Sequence, residues 1–321
     1  MPQLRAIQML VLATAFWGIS FPTMKALMLE QEQLVPGVSS LFTAATCLVY
    51  RFGAATLVML LVCARTVRTL DRTEAWHGFG MGFFGGVGIL LQMDALARTA
   101  ASTSAFLTQI YVLILPLWFA VQDRQWPAPR VLIACALVIT GVAILAGVTW
   151  QSFHLGRGEL ETILASVIFT GQILWLEHPR FAKCRVNHST LVMFATMALA
   201  ALPAALVSTQ RPSDWWNGYA SAPALGFVVI LITFCTLGAY VLMNRWQRHV
   251  GATAAGLIYC GEPVFASAFA WFLPAWFSAW ADVNYANEEL TPRLLLGGGL
   301  ILGANVLAQW PQAPAAAEKS R

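Results

Sequence analysis

Apolar runs of membrane-crossing length alternate with short polar connections along the whole chain. Ten such runs occupy residues 7–27, 39–63, 79–96, 101–121, 131–149, 161–176, 191–207, 222–244, 251–270 or beyond, and 294–309. A helix rising about 1.5 Å per residue needs about 20 residues to cross hydrocarbon about 30 Å thick. The pattern therefore predicts an all-α integral membrane protein with ten transmembrane helices. The sixth, seventh and tenth runs are the expected short spans, with uncharged cores of about 15 to 17 residues. Charges deep inside the runs are few. Glu262 is the one charged residue between positions 251 and 281, and a helix entering the bilayer at Gly251 carries it about 16 Å deep. An ionised carboxylate there costs on the order of 3 kcal/mol unless it is paired, bonded, protonated or wet. Pro263 follows it and should free the Tyr259 carbonyl one turn earlier. Arg51 lies at similar depth, about twelve residues into the second run.

Composition supports this class: 58% of residues are hydrophobic and 11% charged, against about 25% charged in a soluble domain. The net charge of +4 does not point to nucleic acid, because the basic residues are scattered through short loops. With the N-terminus inside, basic residues collect on one side: Arg5, Arg65, Arg68, Arg72, Arg124, Arg130, Arg180, Lys183, Arg185, Arg245, Arg248, Lys319 and Arg321. Arg98, Arg157, Arg211 and Arg293 fall on the other side. The positive-inside rule then places both termini in the cytoplasm. Trp76, Trp126, Trp150, Trp246 and Trp310 stand near span ends, as interfacial residues do. The six cysteines show no pairing pattern and read as small apolar packing residues.

The chain also reads as a tandem repeat. Ala101-Ser102-Thr103-Ser104-Ala105-Phe106-Leu107 aligns with Gly251-Ala252-Thr253-Ala254-Ala255-Gly256-Leu257, Met93-Asp94 with Met243-Asn244, and Arg98 with Arg248. The same offset places Val112 opposite Glu262. Five spans in each half, residues 1–150 and 151–321, force the second half to run upside down relative to the first. Such inverted repeats are common in secondary transporters, with the substrate site near the midplane between the halves.

Polar and aromatic residues within spans are the candidate site. Gln92, Gln109, Tyr111, Gln172, Trp175, Thr236, Tyr240 and Tyr259 offer hydrogen bonds or stacking surfaces to a polar solute, with Trp17 and Phe16 as wall residues. Each singly also has an ordinary packing role. Glu262 has three open roles: a structural carboxyl bonded to backbone near Pro263, a partner for a substrate amine, or a proton-coupling acid. Arg51 either pairs with Glu262, or bonds backbone carbonyls or reaches water along its stem. Asp94 and Arg98, four apart, read first as an exposed ion pair at a helix end, and Lys25 as an interfacial anchor. Gly80, Gly82 and Gly85 match a dinucleotide-binding spacing, but no strand precedes them. Gly78, Gly82 and Gly86 lie on one helix face, as do Gly299 and Gly303, so close helix packing is the better account. The histidines His77, His154, His178, His188 and His249 show no ligand-like spacing, so neither metal nor cofactor is expected.

Trp17-Gly18, Arg51, the run from Ser102 to Thr108, and Gly261-Glu262-Pro263-Val264-Phe265-Ala266 together resemble the EamA family of the drug/metabolite transporter superfamily. The resemblance extends over residues 7–309 as two repeats. It implies a ten-helix inner-membrane carrier of small metabolites, often an exporter of amino acids or related compounds. It also implies a central cavity lined by spans one, three, four, six, eight and nine, with span two at the periphery. The small four-helix members of that superfamily carry a membrane glutamate in their first helix. Residues 7–27 contain no acid, so a proton-antiport scheme built on that glutamate does not transfer. The expected partners are a small-molecule solute, the lipid bilayer and, as one option, a coupling proton; oligomeric state is left open. The alternative class is an intramembrane enzyme or lipid-handling protein, which would need nucleophile, base or metal ligands converging at one depth. No such set is evident.

Overall fold

The computed structural model describes residues 2–309 apart from 123, 125, 128, 146–154, 177 and 251, and gives the backbone alone at 2, 112, 119, 252–254 and 309. Trp150, His154, Gly251, Trp310, Lys319 and Arg321, together with the Val112 side chain, lie outside the described residues. Fourteen α-helices are described, with no strand among the described residues. They are α1 (Pro2–Leu34), α2 (Ser40–Val62), α3 (Arg72–Leu96), α4 (Ala101–Thr108), α5 (Tyr111–Gln122), α6 (Pro129–Leu145) and α7 (Arg157–Leu176). After these come α8 (Val186–Ser208), the short α9 (Asp214–Asn217), α10 (Ala222–Ile230), α11 (Ala239–Trp246), α12 (Ala252–Tyr259), α13 (Glu262–Ala281) and α14 (Pro292–Gln309). A π-helical stretch, Leu231–Gly238, joins α10 to α11. Three helix starts carry side-chain caps. Ser39 accepts from the Phe42 amide, Ser221 from the Ala224 amide, and Asp71 with Glu74 forms a capping box on α3.

Eight helical stretches among the described residues are long and apolar enough to cross a membrane, and the protein is a multi-pass membrane protein. The two shorter apolar helices are Pro129–Leu145 and Pro292–Ala308. Of the three runs expected to be short, only the tenth is. The sixth and seventh extend past their apolar cores to Arg157–Leu176 and Val186–Ser208. Their polar first turns have partners within the protein: Arg157 with Glu161 and Asp94, and His188 with Glu74. Hydropathy stops where charge begins, whereas a helix whose charged turn is paired continues.

The main core joins α1, α2, α3, α8, α10, α11 and α13. A second cluster, built on Ala134, Val138, Leu294, Ile301 and Ala304 with Phe106 and Leu113, holds α6 against α14. The glycine face of α3 fits α8 as expected: a Cβ at Gly78 would meet Ser189 O, at Gly82 Met193 O, and at Gly86 the Met197 Cα. The expectation for Gly299 and Gly303 is corrected, since a Cβ added at either would meet nothing within 4 Å among the described residues of other elements. The close approach in α14 belongs to Gly297, against Gly141 O and Leu145, and to Gly298, against Phe106.

The chain also differs from the expected continuous ninth span. Rather than bending one helix, Pro263 occupies the first turn of a new one: α12 ends at Tyr259, and Glu262 opens α13. The corresponding fourth span breaks in the same way, between Thr108 and Tyr111. A second proline, Pro274, sits inside α13 and cannot donate to the Ala270 carbonyl. The loop 282–291 folds back along the helix and replaces that donor, with Glu288 N reaching Ala270 O at 2.9 Å and Ala275 N reaching Asn287 Oδ1 at 2.8 Å.

Gly82→Leu is expected to destabilise the α3–α8 contact by about 1–3 kcal/mol, read as a lower unfolding midpoint in detergent. Gly53→Ala, whose added Cβ has no neighbour within 4 Å, should leave that midpoint unchanged or slightly raised.

Candidate functional site

The two helix breaks meet. Gln109, in the first break, donates from Nε2 to Glu262 Oε2, at the second, over 3.3 Å. Asn305 on α14 donates from Nδ2 to the Gln109 carbonyl at 3.4 Å, one of the backbone groups that the first break exposes. Gln109 and Asn305 are fully buried, and Glu262 nearly so. Among the described residues the carboxylate is thus bonded to a side-chain amide rather than to backbone, and its place in the first turn of α13 favours negative charge.

Beside this junction is a central cavity of about 90 Å³, room for several waters or one compact solute. α1 contributes Trp17, Ser20 and Met24, α3 contributes Ile89 and Gln92, and Thr108 and Tyr111 flank the first break. The rest of the lining is Arg51 of α2, Phe169, Gln172, Ile173 and Leu176 of α7, Tyr240 and Met243 of α11, Gln247 just beyond it, and Tyr259 and Glu262 at the second break. The aromatic wall is continuous: the Trp17 ring lies 5.5 Å from Tyr240 and 5.4 Å from Tyr259, both edge-on. Gln92 Nε2 donates to Thr108 Oγ1 at 2.7 Å, and Tyr259 OH to Gln247 Oε1 at 2.9 Å.

The expected residues divide by place. Trp17, Gln92, Tyr111, Gln172, Tyr240, Tyr259 and Glu262 line the cavity, while Gln109 stands behind Glu262. Trp175 does not line it; its ring packs on Gly80 and its Nε1 donates to Trp76 O at 3.3 Å. Phe16 faces away, against Phe234 and Gly238. Arg51 brings α2 into the lining, so that helix is not merely peripheral. No carboxylate lies within 4 Å of its guanidinium among the described residues, and its Nη2 donates to the Cys235 carbonyl at 3.1 Å. The backbone-bonded alternative is the one observed. Ser20, Met24, Thr108 and Gln247 went unflagged; Gln247 lies beyond the apolar run that drew attention to its neighbours.

The two ends of the bundle are tied differently. At one end Asp94, 2% exposed, is paired with Arg98 at 3.3 Å and Arg157 at 2.9 Å, and Glu161 completes the cluster between α3 and α7. The expected ion pair is present, with exposed arginines on a buried acid, and belongs to a larger network outside the cavity. Lys25 Nζ donates to Thr99 O at 2.7 Å, tying α1 to the α3–α4 turn. Glu288 reaches from loop 282–291 to the start of α4, accepting from Ala101 N at 2.7 Å, Ser102 N at 3.2 Å and the Ser102 hydroxyl. Nearby, burial pushes the Tyr285 phenol up, so it stays neutral. At the opposite end Glu74 accepts from Arg185 Nε at 2.6 Å and faces His188 Nδ1 at 2.8 Å, joining α3 to α8. That contact holds the exposed Arg185 guanidinium above its ordinary pKa.

Residues 4–147 match the EamA-like transporter family. That stretch is thus similar to an EamA-like transporter domain. An uncharacterized transporter from Archaeoglobus fulgidus is 23% identical over 304 residues, which make up 93% of this chain and 83% of that protein. A crystallised protein aligns with 92% of this chain and 96% of its own at 20% identity and a TM-score of 0.55, a likeness of fold. The EamA-like half supplies α1, α3 and the first helix break, and the second break comes from beyond it.

Glu288→Ala should uncap α4 at a cost of about 1 kcal/mol, making amide exchange at Ala101 and Ser102 roughly fivefold faster. Glu289→Ala, at an exposed neighbouring position, should leave those amides unchanged.

Proposed function

We propose that this protein is a secondary-active carrier that exports a small polar metabolite, an amino acid or related compound, by alternating access through the central cavity. In this reading ten spans form two inverted five-helix repeats, residues 1–150 and 151–321. They lie in the cell inner membrane with both termini cytoplasmic. The observation that carries the proposal is the meeting of the two helix breaks at Gln109 and Glu262 beside the cavity. Broken helices near the bilayer midplane, one from each half, are how carriers of this architecture build a site. The bias of basic residues supports the orientation, and the transporter family supports the class.

Alternating access needs ties at each end that form and break in turn. The Asp94 cluster with the Lys25 and Glu288 contacts, and the Glu74 cluster, are suitable candidates because each joins different helices at opposite ends of the bundle. Glu262 then serves as the site's acid, facing a substrate amine or carrying a coupling proton.

Purified protein in liposomes should release loaded metabolites that protein-free liposomes retain. Glu262→Gln keeps the size of the group and removes its charge, and should slow that flux by about tenfold or more. A lipid-turnover assay on the same vesicles addresses the enzyme class. Turnover without solute flux would overturn the carrier reading, and flux with wild-type pH dependence in Glu262→Gln would remove the acid from the mechanism.

A further inference from the structure

The cavity is lined by one basic and one acidic side chain, Arg51 and Glu262, and the cation is the less compensated. Arg51 is 2% exposed and has five N–H groups to satisfy. Its partners are neutral: Nε donates to the Thr236 hydroxyl, Nη2 to Cys235 O at 3.1 Å, and Nη1 to the Met24 thioether at 3.6 Å. A thioether is a weak acceptor, and a guanidinium without an acid beside it is costly in hydrocarbon. The face of Phe52, 5.1 Å away, offsets part of that cost. The π-helical stretch presents Thr236 and the Cys235 carbonyl toward α2, and such widened turns recur at functional sites. These contacts hold the guanidinium in place without neutralising it.

An independent observation points the same way. Trp17 Nε1 and Gln172 Nε2 are buried nitrogens without an acceptor among the described residues, and both residues line this cavity. An orphaned buried donor costs about 1–3 kcal/mol, so a solute bringing acceptor oxygens would recover it. The pairing of Glu262 with Gln109 does nothing for either group. Tyr240 lines the same cavity as Arg51 and Glu262.

We propose that Arg51 receives a carboxylate of the transported solute, with the Trp17 and Gln172 N–H groups as further donors. A single guanidinium in a cavity this small matches a compact monoanion better than a doubly charged phosphate, and the fork of its remaining N–H groups suits a carboxylate. The assignment rests on the cavity being the transport site.

The probes are the common amino acids, the corresponding C-terminal amides, and the acids lacking the amine. Each is tested for raising the unfolding midpoint of the detergent-purified protein and for efflux from loaded proteoliposomes. Acids should act in both assays and their amides in neither. Arg51→Gln should weaken the response to acids by about tenfold or more, and Arg51→Lys should retain part of it. Should Arg51→Gln fail to fold, Trp17→Phe decides, because it keeps a ring and removes the N–H; it should weaken acids while leaving the ligand-free midpoint near wild type. Amides matching their acids, an undiminished response in Arg51→Gln or Trp17→Phe, or no probe acting at all would overturn the assignment. If uncharged solutes still cross, the carrier reading stands and only the role of Arg51 fails; if no solute from a metabolite extract crosses, the carrier reading itself fails.

Discussion

A helix that stops inside hydrocarbon leaves N–H and C=O groups that no water can satisfy. This protein stops two helices there and ties the two breaks together. The Gln109 side chain crosses to Glu262, and Asn305 takes up the Gln109 carbonyl. Because those bonds need α4, α13 and α14 at one point, the rest of the bundle is arranged around that point. α1 packs on α13 through Gly18, where a Cβ would strike Phe265, and the cavity opens beside it. The polar centre is both a requirement of backbone accounting and the feature that a solute would meet.

Arg51 and Glu262 show two ways of holding an ionisable group in a membrane. The acid is placed in the first turn of a helix beside an amide donor, while the base is surrounded by neutral oxygens, a sulfur and a ring face. Direct pairing would have neutralised both and left an empty cavity with little charge to offer. Their separation keeps electrostatic selectivity available in a site whose walls are mostly aromatic and aliphatic.

Much of the fold was legible because the bilayer imposes a length on every apolar run and a cost on every buried charge. Glu262 and Arg51 stood out for that reason, and glutamines and tyrosines inside spans led to most of the cavity. Other features left no local signal. Nothing around Asp94 reveals that Arg157 and Glu161 will close on it from another helix. Trp175 and Trp17 look alike as residues, yet only a three-dimensional arrangement sends one onto Gly80 and the other into the cavity. Gln247 escaped because hydropathy marks where a helix is apolar and not where its lining ends. The break before Glu262 was half-readable: proline signalled an interruption, but the chain placed it at a helix start instead of a kink.

The loop that follows α13 is fastened by its main chain to the carbonyl that Pro274 leaves vacant, and its Glu288 carboxylate caps α4. It therefore acts as a ruler. Side chains that only point outward from it are exchangeable, but its residue count is not: inserting or deleting one shifts the carboxylate by about one Cα spacing, 3.8 Å, more than a hydrogen bond tolerates. A proline buried in one helix thus fixes the permitted length of a surface segment, and through it the starting point of a helix in the other half of the molecule.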